Sequence, residues 1–328
     1  MAILVCGGAG YIGSHMVAEL LEKGKEVVIL DNFQKGHKDA LMGGKLYEGD
    51  LRDKSVLNRV FTENHIEAVI DFAADSLVGE SVAEPLKYFN NNVGSTISLL
   101  EAMREHGVKY IVFSSTAATY GEPERTPIKE GDKTEPTNPY GETKLTVEKI
   151  LKWCDKAYGI KYTALRYFNA AGAHVSGNIG EDHRPESHLI PIILQVALKQ
   201  REKIMVFGDD YPTEDGTCIR DYIHVSDLAA AHLLALERLK AGGESRSYNL
   251  GNGTGFSVKQ VIEVVEKVTG IKINREIAER RAGDPAILIA SSDKATEELN
   301  WKPRYNSLED IVSTAWQWHK NHPQGYTK

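Results

Sequence analysis

Tyr140 and Lys144, in the stretch Asn138-Pro139-Tyr140-Gly141-Glu142-Thr143-Lys144, combine residue types and a spacing that imply a definite chemistry. Residues four apart share one face of a helix, and Pro139 suits a helix start because its missing N–H would be orphaned there anyway. Val147, Ile150, Leu151 and Cys154 continue at helical spacing and give that helix an apolar face. A phenol beside an ammonium is a candidate general base, because the lysine charge favours tyrosinate and pulls a pKa of ~10 towards working pH. Ordinary helices also carry such pairs as packing plus a solvated tip. The surroundings must therefore decide.

Those surroundings begin with the apolar strand Ile3-Leu4-Val5-Cys6, the loop Gly7-Gly8-Ala9-Gly10-Tyr11-Ile12-Gly13 and a helix ended by Gly24. Such glycines allow a tight turn and a close approach of backbone to a pyrophosphate at the helix N-terminus. Gly8, Gly10 and Gly13 fit one glycine pattern, Gly7, Gly10 and Gly13 a looser one, and spacing does not choose. The next strand, Glu26 to Leu30, ends in Asp31-Asn32, where a carboxylate would bind the adenosine ribose, repel a 2′-phosphate and so favour NAD over NADP. Lys45 to Glu48 delivers Asp50, which either accepts from an adenine amino group or caps the helix from about Asp53 to Glu63. Ala68 to Phe72 leads to the small residues Ala73-Ala74, and a helix from about Pro85 to His106 carries Asn90, Asn91 and Asn92 near its start. Tyr110 to Phe113 delivers the hydroxyls Ser114-Ser115-Thr116, and Tyr162 to Tyr167 ends at Phe168-Asn169. Alternating strands and helices predict an α/β, doubly wound parallel sheet of the Rossmann type, with all of these polar groups on one rim.

In the second half, an apolar helix (Leu189 to Leu198) and the strand Ile204 to Phe207 precede a polar loop, Gly208 to Thr217, long enough to cover a ligand. Arg220 and Arg281 are candidate diphosphate cations, since guanidinium forks match phosphate oxygens. His224 reads as a core or interface histidine. Ser257, Ser292 and Ser307 read as helix N-caps. At least one of Trp316 and Trp318, on the last helix from about Leu308 to His319, belongs to a core. We expect an NAD-binding domain over 1–170, with returns from the second half, and a smaller α/β nucleotide-sugar domain over 171–328.

A net charge of −7 over 328 residues argues against nucleic-acid or anionic-membrane surfaces. The chain has no apolar run of transmembrane length, and its opening residues run straight into the glycine loop, unlike a signal peptide. Cys6, Cys154 and Cys218 are odd in number and widely spaced, which points to a reducing cytoplasm. No metal ligands are expected.

Together these motifs resemble the extended short-chain dehydrogenase/reductase family, and within it the UDP-sugar 4-epimerases. The likeness spans nearly the whole chain and is most specific in Tyr211-Pro212-Thr213-Glu214-Asp215-Gly216-Thr217, Arg220-Asp221-Tyr222-Ile223-His224-Val225 and Arg281-Ala282-Gly283-Asp284. The resemblance implies a homodimeric isomerase of galactose metabolism that interconverts UDP-galactose and UDP-glucose through a transient 4-keto sugar and bound NADH. It makes Tyr140 the base and acid, Lys144 its tuning partner and Thr116 the holder of the sugar hydroxyl. Gly7, Gly10, Tyr11, Ile12, Gly13, Asp31, Asn32, Asp50, Leu51, Phe72, Ala73, Ala74, Asn91, Ser114, Tyr140, Lys144 and Phe168 would form the NAD site. Thr116, Tyr140, Asn169, His188, Leu189, Met205, Val206, Phe207, Arg220, Tyr222, Arg281, Asp284 and Leu288 would form the nucleotide-sugar site. Leu288 stands where a bulky tyrosine would exclude an N-acetyl group, which implies some acceptance of UDP-N-acetylglucosamine. The dimer would form through helices near Asn91 to Met103 and Tyr140 to Lys156. Three positions depart from the family pattern: Asp71 replaces a usual histidine, Ser76 a lysine near the cofactor, and His188 a common asparagine. Ala117-Ala118 follows Thr116 where related 4,6-dehydratases place an Asp-Glu pair, which argues against dehydration. Non-catalytic relatives typically lose the tyrosine that is kept here.

Overall fold

The computed structural model describes residues 1–281 and 284–326. Its strands are β1 Ala2–Cys6, β2 Val27–Asp31, β3 Lys45–Glu48, β4 Ile66–Asp71, β5 Tyr110–Thr116, β6 Lys161–Tyr167, β7 Asn169–Ala171, β8 Ile204–Phe207, β9 Ile219–Arg220, β10 Tyr222–His224, β11 Arg246–Leu250, β12 Phe256–Ser257, β13 Arg275–Ala278 and β14 Ile287–Leu288. Its helices are α1 Tyr11–Glu22, α2 Lys54–Glu63, α3 Val78–Ala83, α4 Pro85–Tyr88, α5 Ser95–Glu105, α6 Pro139–Tyr158, α7 Leu189–Ala197, α8 Val225–Lys240, α9 Val258–Thr269, α10 Asp293–Leu299 and α11 Leu308–Asn321.

Seven strands form one sheet in the order β11-β6-β5-β4-β1-β2-β3, and every pairing in it is parallel. Period-two alternation divides β1 between two cores. Ile3 and Val5 join Met16, Val17 and Leu20 of α1 and Leu228 and Leu236 of α8, while Ala2, Leu4 and Cys6 join residues of α2, α5 and α6 on the opposite face. Helices on both faces make this the expected doubly wound fold. The second half returns to it twice, since β11 completes the sheet edge and α8 packs on α1.

The remaining strands make three small sheets, β10-β7, β12-β9-β14 and β13-β8, around a third core built from α7, α9 and α11. Ser257 caps α9 in a capping box and Ser307 caps α11. Ser292 precedes α10 without a side-chain cap, its hydroxyl donating instead to the Gly251 carbonyl at 2.8 Å. Trp318 is fully buried and Trp316 packs on the third core.

The single helix expected from Pro85 to His106 is broken. A π-helical segment, Phe89–Gly94, separates α4 from α5. Such wide turns are frequent at functional sites, and this one directs Asn91 and Asn92 to Asp75. Asn92 accepts from the Asp75 N–H at 2.8 Å and donates to Thr143 Oγ1 at 3.1 Å, tying the segment to α6.

The Trp318 indole stacks on His322 at 3.9 Å and donates to the Glu181 carbonyl at 3.1 Å. Trp318→Ala is expected to cost about 3–5 kcal/mol, visible in calorimetry as a lower unfolding midpoint; an unchanged midpoint would contradict this packing.

Candidate active site

The parallel order places the carboxyl ends of the strands on one rim, where a ligand crevice is expected. The glycine loop crosses it first. Gly7 has φ +70°, and a Cβ there would lie 2.9 Å from the Ala73 nitrogen, whereas a Cβ on Gly8 would meet mainly the Ile29 side chain. The pattern of Gly7, Gly10 and Gly13 is therefore the one the backbone uses. Gly10 precedes α1 without a side-chain cap, so the helix's first N–H groups point at the crevice as anion donors.

The adjoining cleft encloses about 620 Å³ including its solvent-open part, and its lining includes Gly7, Gly10, Asp31, Asn32, Asp50, Leu51, Phe72, Ala73, Ala74 and Asn91. Tyr11, Ile12 and Gly13 form the first turn of α1 beside it. Asp31 is buried, accepts from the Ala9 N–H at 2.9 Å and the Phe33 N–H at 2.8 Å, and has its carboxyl pKa raised by burial. A carboxylate accepts about four hydrogen bonds, so capacity remains for a ribose. Asp50 does not cap α2; Asp53 does. Arg52 grips Asp50 through Nε at 2.8 Å and Nη2 at 2.7 Å and holds its carboxyl far below the usual range. The Arg52 N–H at 2.8 Å and Asn32 at 3.1 Å bring the donors to four, so Asp50 is largely committed within the protein.

Gln34, Lys35 and Asp75 also line the cleft, although sequence reasoning did not single them out. Ser76 is exposed. Lys35 is the one cationic side chain among the described lining residues, and its amine donates to the Arg184 carbonyl at 3.3 Å. A lysine immediately before Gly36 in a loop has no periodic signature, so only its placement reveals it.

Tyr140 lies in the first turn of α6, whose N-cap Asn138 accepts from the Gly141 N–H at 2.9 Å. A Cβ on Gly141 would sit 2.5 Å from the Ala118 carbonyl oxygen. That close approach sets α6 against the end of β5, where Thr116 lies near enough to the Tyr140 phenol to act on its ionisation. Burial raises the phenol's pKa, and Thr116 opposes it. The expected depression by Lys144 is not found. The Lys144 amine instead donates to the Ser114 carbonyl at 2.8 Å and lies 4.8 Å from the centre of the Phe113 ring. It is 3% exposed, and burial lowers its pKa to about 8 while the Asp71 charge opposes the fall.

Asp71 thus has more than a packing role. It is 1% exposed, its pKa is pushed up to about 6 by burial, and the Lys144 charge resists that rise. Glu148, one further turn along the face shared by Tyr140 and Lys144, pairs with Arg166 at 2.9 Å and accepts from Ser115 at 2.5 Å. The same four-residue spacing could have found it. Ser114 Oγ is hydrogen-bonded to the Tyr167 hydroxyl, which was not among the expected site residues. Phe168 is half-buried at the step from β6 to β7.

The second half supplies the other wall. Asn169 donates to the Asp221 carbonyl at 2.9 Å, and Leu189 opens α7. Along β8, Met205 and Phe207 are partly exposed while Val206 turns into the third core. The period of two therefore removes the Val206 side chain from the expected set. Tyr222 is corrected likewise: at 5% exposure it belongs to that core. Arg281 lies over the Phe207 ring at 4.0 Å, and Arg220 forms an ion pair with Asp284. Leu288 is in register with Arg220 across β14 and β9. Ala282 and Gly283 lie outside the described residues. The loop from Gly208 to Thr217 is tied internally and anchors through Asp215 to Ser257. His188 faces Glu181 at 2.5 Å and Glu186 at 3.5 Å.

Sequence comparison matches residues 3–251 to the NAD dependent epimerase/dehydratase family, and the chain belongs to that family. A relative from Halalkalibacterium halodurans, named UDP-glucose 4-epimerase, is 64% identical over 327 residues, covering 100% of this chain and 98% of its own. A crystal structure of a UDP-glucose 4-epimerase superposes with a TM-score of 0.99 at 60% identity, covering both chains completely. The Bifidobacterium longum UDP-glucose 4-epimerase, solved with NAD+ and UDP, gives 0.94 at 42% identity over 99% of this chain and 100% of its own.

Between about pH 4 and 6 the folded state holds a proton on Asp71 that the unfolded chain releases, so this carboxyl's stabilising contribution is present below pH 4 and lost as pH rises through 6. Asp71→Asn is expected to match or exceed the parent's stability at pH 8. Without the opposing carboxylate, the Lys144 pKa should fall below about 8, shifting the alkaline limb of the pH–rate profile to lower pH. An unmoved limb would contradict the coupling.

Proposed function

We infer that this chain interconverts UDP-glucose and UDP-galactose by inverting the sugar's carbon 4 with NAD as resident cofactor. The observation that carries this is the first turn of α6 bringing Tyr140 to the end of β5 at Thr116, on the rim that also bears the glycine loop. Residues 1–170 and their returns bind the dinucleotide, and 171–328 bind the nucleotide sugar.

NAD fits these residues. A Cβ would fill the backbone cradle at Gly7, the uncapped start of α1 offers N–H donors to a pyrophosphate, and Asp31 disfavours a 2′-phosphate. When bound, NAD supplies an acceptor that takes two electrons from the sugar carbon and gives them back. Tyr140 Oη removes the proton of the 4-hydroxyl and later returns it, while Thr116 Oγ1 orients that hydroxyl. Burial holds the proton on the phenol and Thr116 opposes it, while the Lys144 ammonium, clamped to the Ser114 carbonyl at 2.8 Å, fixes the turn of α6 that carries Tyr140. Arg220 and Arg281 grip the diphosphate. Arg220 exchanges its Asp284 partner for phosphate oxygens, leaving Asp284 free to accept from the sugar. Turnover requires this unequal grip, with the diphosphate anchored and the ring free to present either face.

The apolar side chains left outside argue for a homodimer. Val82, Leu86 and Trp153 are 62, 83 and 67% exposed and lie on α3, α4 and α6, beside the helices expected to form the contact. No helix among the described residues is long and apolar enough to cross a membrane. Net acidity and three unpaired cysteines support a cytoplasmic enzyme without nucleic-acid partners.

Tyr140→Phe is expected to retain NAD yet lose 10²–10⁴-fold in turnover in an assay coupling UDP-galactose conversion to UDP-glucose oxidation. Near-normal turnover would overturn the assignment. The Campylobacter jejuni UDP-Glc/GlcNAc 4-epimerase superposes with a TM-score of 0.86 at 43% identity, covering 98% of this chain and 99% of its own. Because leucine is smaller than tyrosine, this chain should turn over UDP-N-acetylglucosamine. Leu288→Tyr should depress that activity more than the UDP-glucose reaction, and equal effects on both would refute a role for position 288.

A further inference from the structure

Four side chains between the start of α1 and the start of α7 converge, and of these only His188 was expected at the nucleotide-sugar site. Glu181, His183, Glu186 and His188 each bring one oxygen or nitrogen into a group whose members lie within 4.8 Å of one another. Both imidazoles face the same Glu181 oxygen through Nδ1, at 3.0 Å for His183 and 2.5 Å for His188. Glu186 closes the group, 3.5 Å from His188 and 3.9 Å from His183.

We propose that these residues form a binding site for one divalent transition-metal cation of the zinc class. Zinc–nitrogen and zinc–oxygen bonds of ~2.0–2.2 Å in a tetrahedron put neighbouring ligand atoms about 3.4 Å apart. The four separations here lie on either side of that edge, so small rotations would complete the geometry. Charge points the same way. The Glu181 and Glu186 side chains are only 3 and 4% exposed, and two nearly buried carboxylates side by side need compensation. Without an ion the imidazoles facing Glu181 and Glu186 are their partners; a dication held by two neutral imidazoles and two carboxylates would take over that role, and this donor set suits zinc better than calcium or magnesium, which prefer all-oxygen shells.

The location gives the ion a structural task. The His183 ring meets Tyr11 of α1 edge-on at 6.0 Å, and His188 is the N-cap position of α7. The Glu181 carbonyl accepts from the Trp318 indole, and Asp182 accepts from the Tyr326 N–H at 3.0 Å. An ion here would fasten one loop to the glycine-loop helix, the nucleotide-sugar lobe and the last helix at once.

The test uses the purified full-length chain, stripped with a chelator and titrated with Co²⁺. One equivalent should bind per chain with the intense visible bands of tetrahedral cobalt, Zn²⁺ should displace it, and protein purified without chelator should contain about one zinc per chain. His183→Ala, which removes a partly exposed ring, and Glu181→Gln should each lose the tetrahedral spectrum while retaining the parent's far-ultraviolet dichroism. A parent chain that shows no tetrahedral cobalt spectrum overturns the proposal whatever the variants do, and so does an unchanged spectrum in His183→Ala.

Discussion

The site depends on one buried ammonium. Lys144 Nζ is bound to the carbonyl of Ser114 at the end of β5 and lies within the field of Asp71 at the end of the neighbouring β4. An unpaired buried charge would be costly. These partners, with the Phe113 ring, make its position tolerable and thereby set the register of α6 against the sheet. Tyr140, one turn earlier, is then delivered to Thr116, and Glu148, one turn later, to Arg166 and Ser115. Three side chains at one helical spacing thus hold a single face of α6 against the strand ends.

Asp71 adds a second buried charge to this arrangement. A neutral side chain at the end of β4 would leave Lys144 with the Ser114 carbonyl and the ring face alone, and its charge would be harder to keep in the interior. Each charge makes the other less expensive, yet burial still displaces both groups from their ordinary ranges, the acid upward and the amine downward. Protonation in the site is therefore linked to pH near neutrality through this buried pair.

The nucleotide-sugar wall is governed by alternation rather than by charge. The short strand β8 leaves Met205 and Phe207 partly exposed and buries Ile204 and Val206 in the core of α7, α9 and α11. Met205, Phe207 and Arg281 form one patch in which the guanidinium lies on the aromatic face. Arg220 sits beside Leu288 by register, so the group proposed to grip the diphosphate and the group proposed to limit space beside the sugar are set by the same strand pairing.

Much of this was legible in the residues. The sheet, its order of alternating helices, the functional rim, the start of α6 at Pro139 and the caps at Ser257 and Ser307 follow from periodicity and local backbone demands, which neighbouring residues satisfy among themselves. Tertiary structure alone decided which glycine frame is used, because the neighbour that excludes a side chain at Gly7 is Ala73. It also decided that Lys144 binds a strand carbonyl rather than tuning the phenol directly, that Asp50 is held by Arg52, and that Val206 and Tyr222 face the core. The π-helical step at Phe89–Gly94 and the convergence of Glu181, His183, Glu186 and His188 were likewise invisible in the chain. Local conformation is encoded by near neighbours, whereas burial, charge pairing and the facing of a side chain depend on residues brought together from far apart.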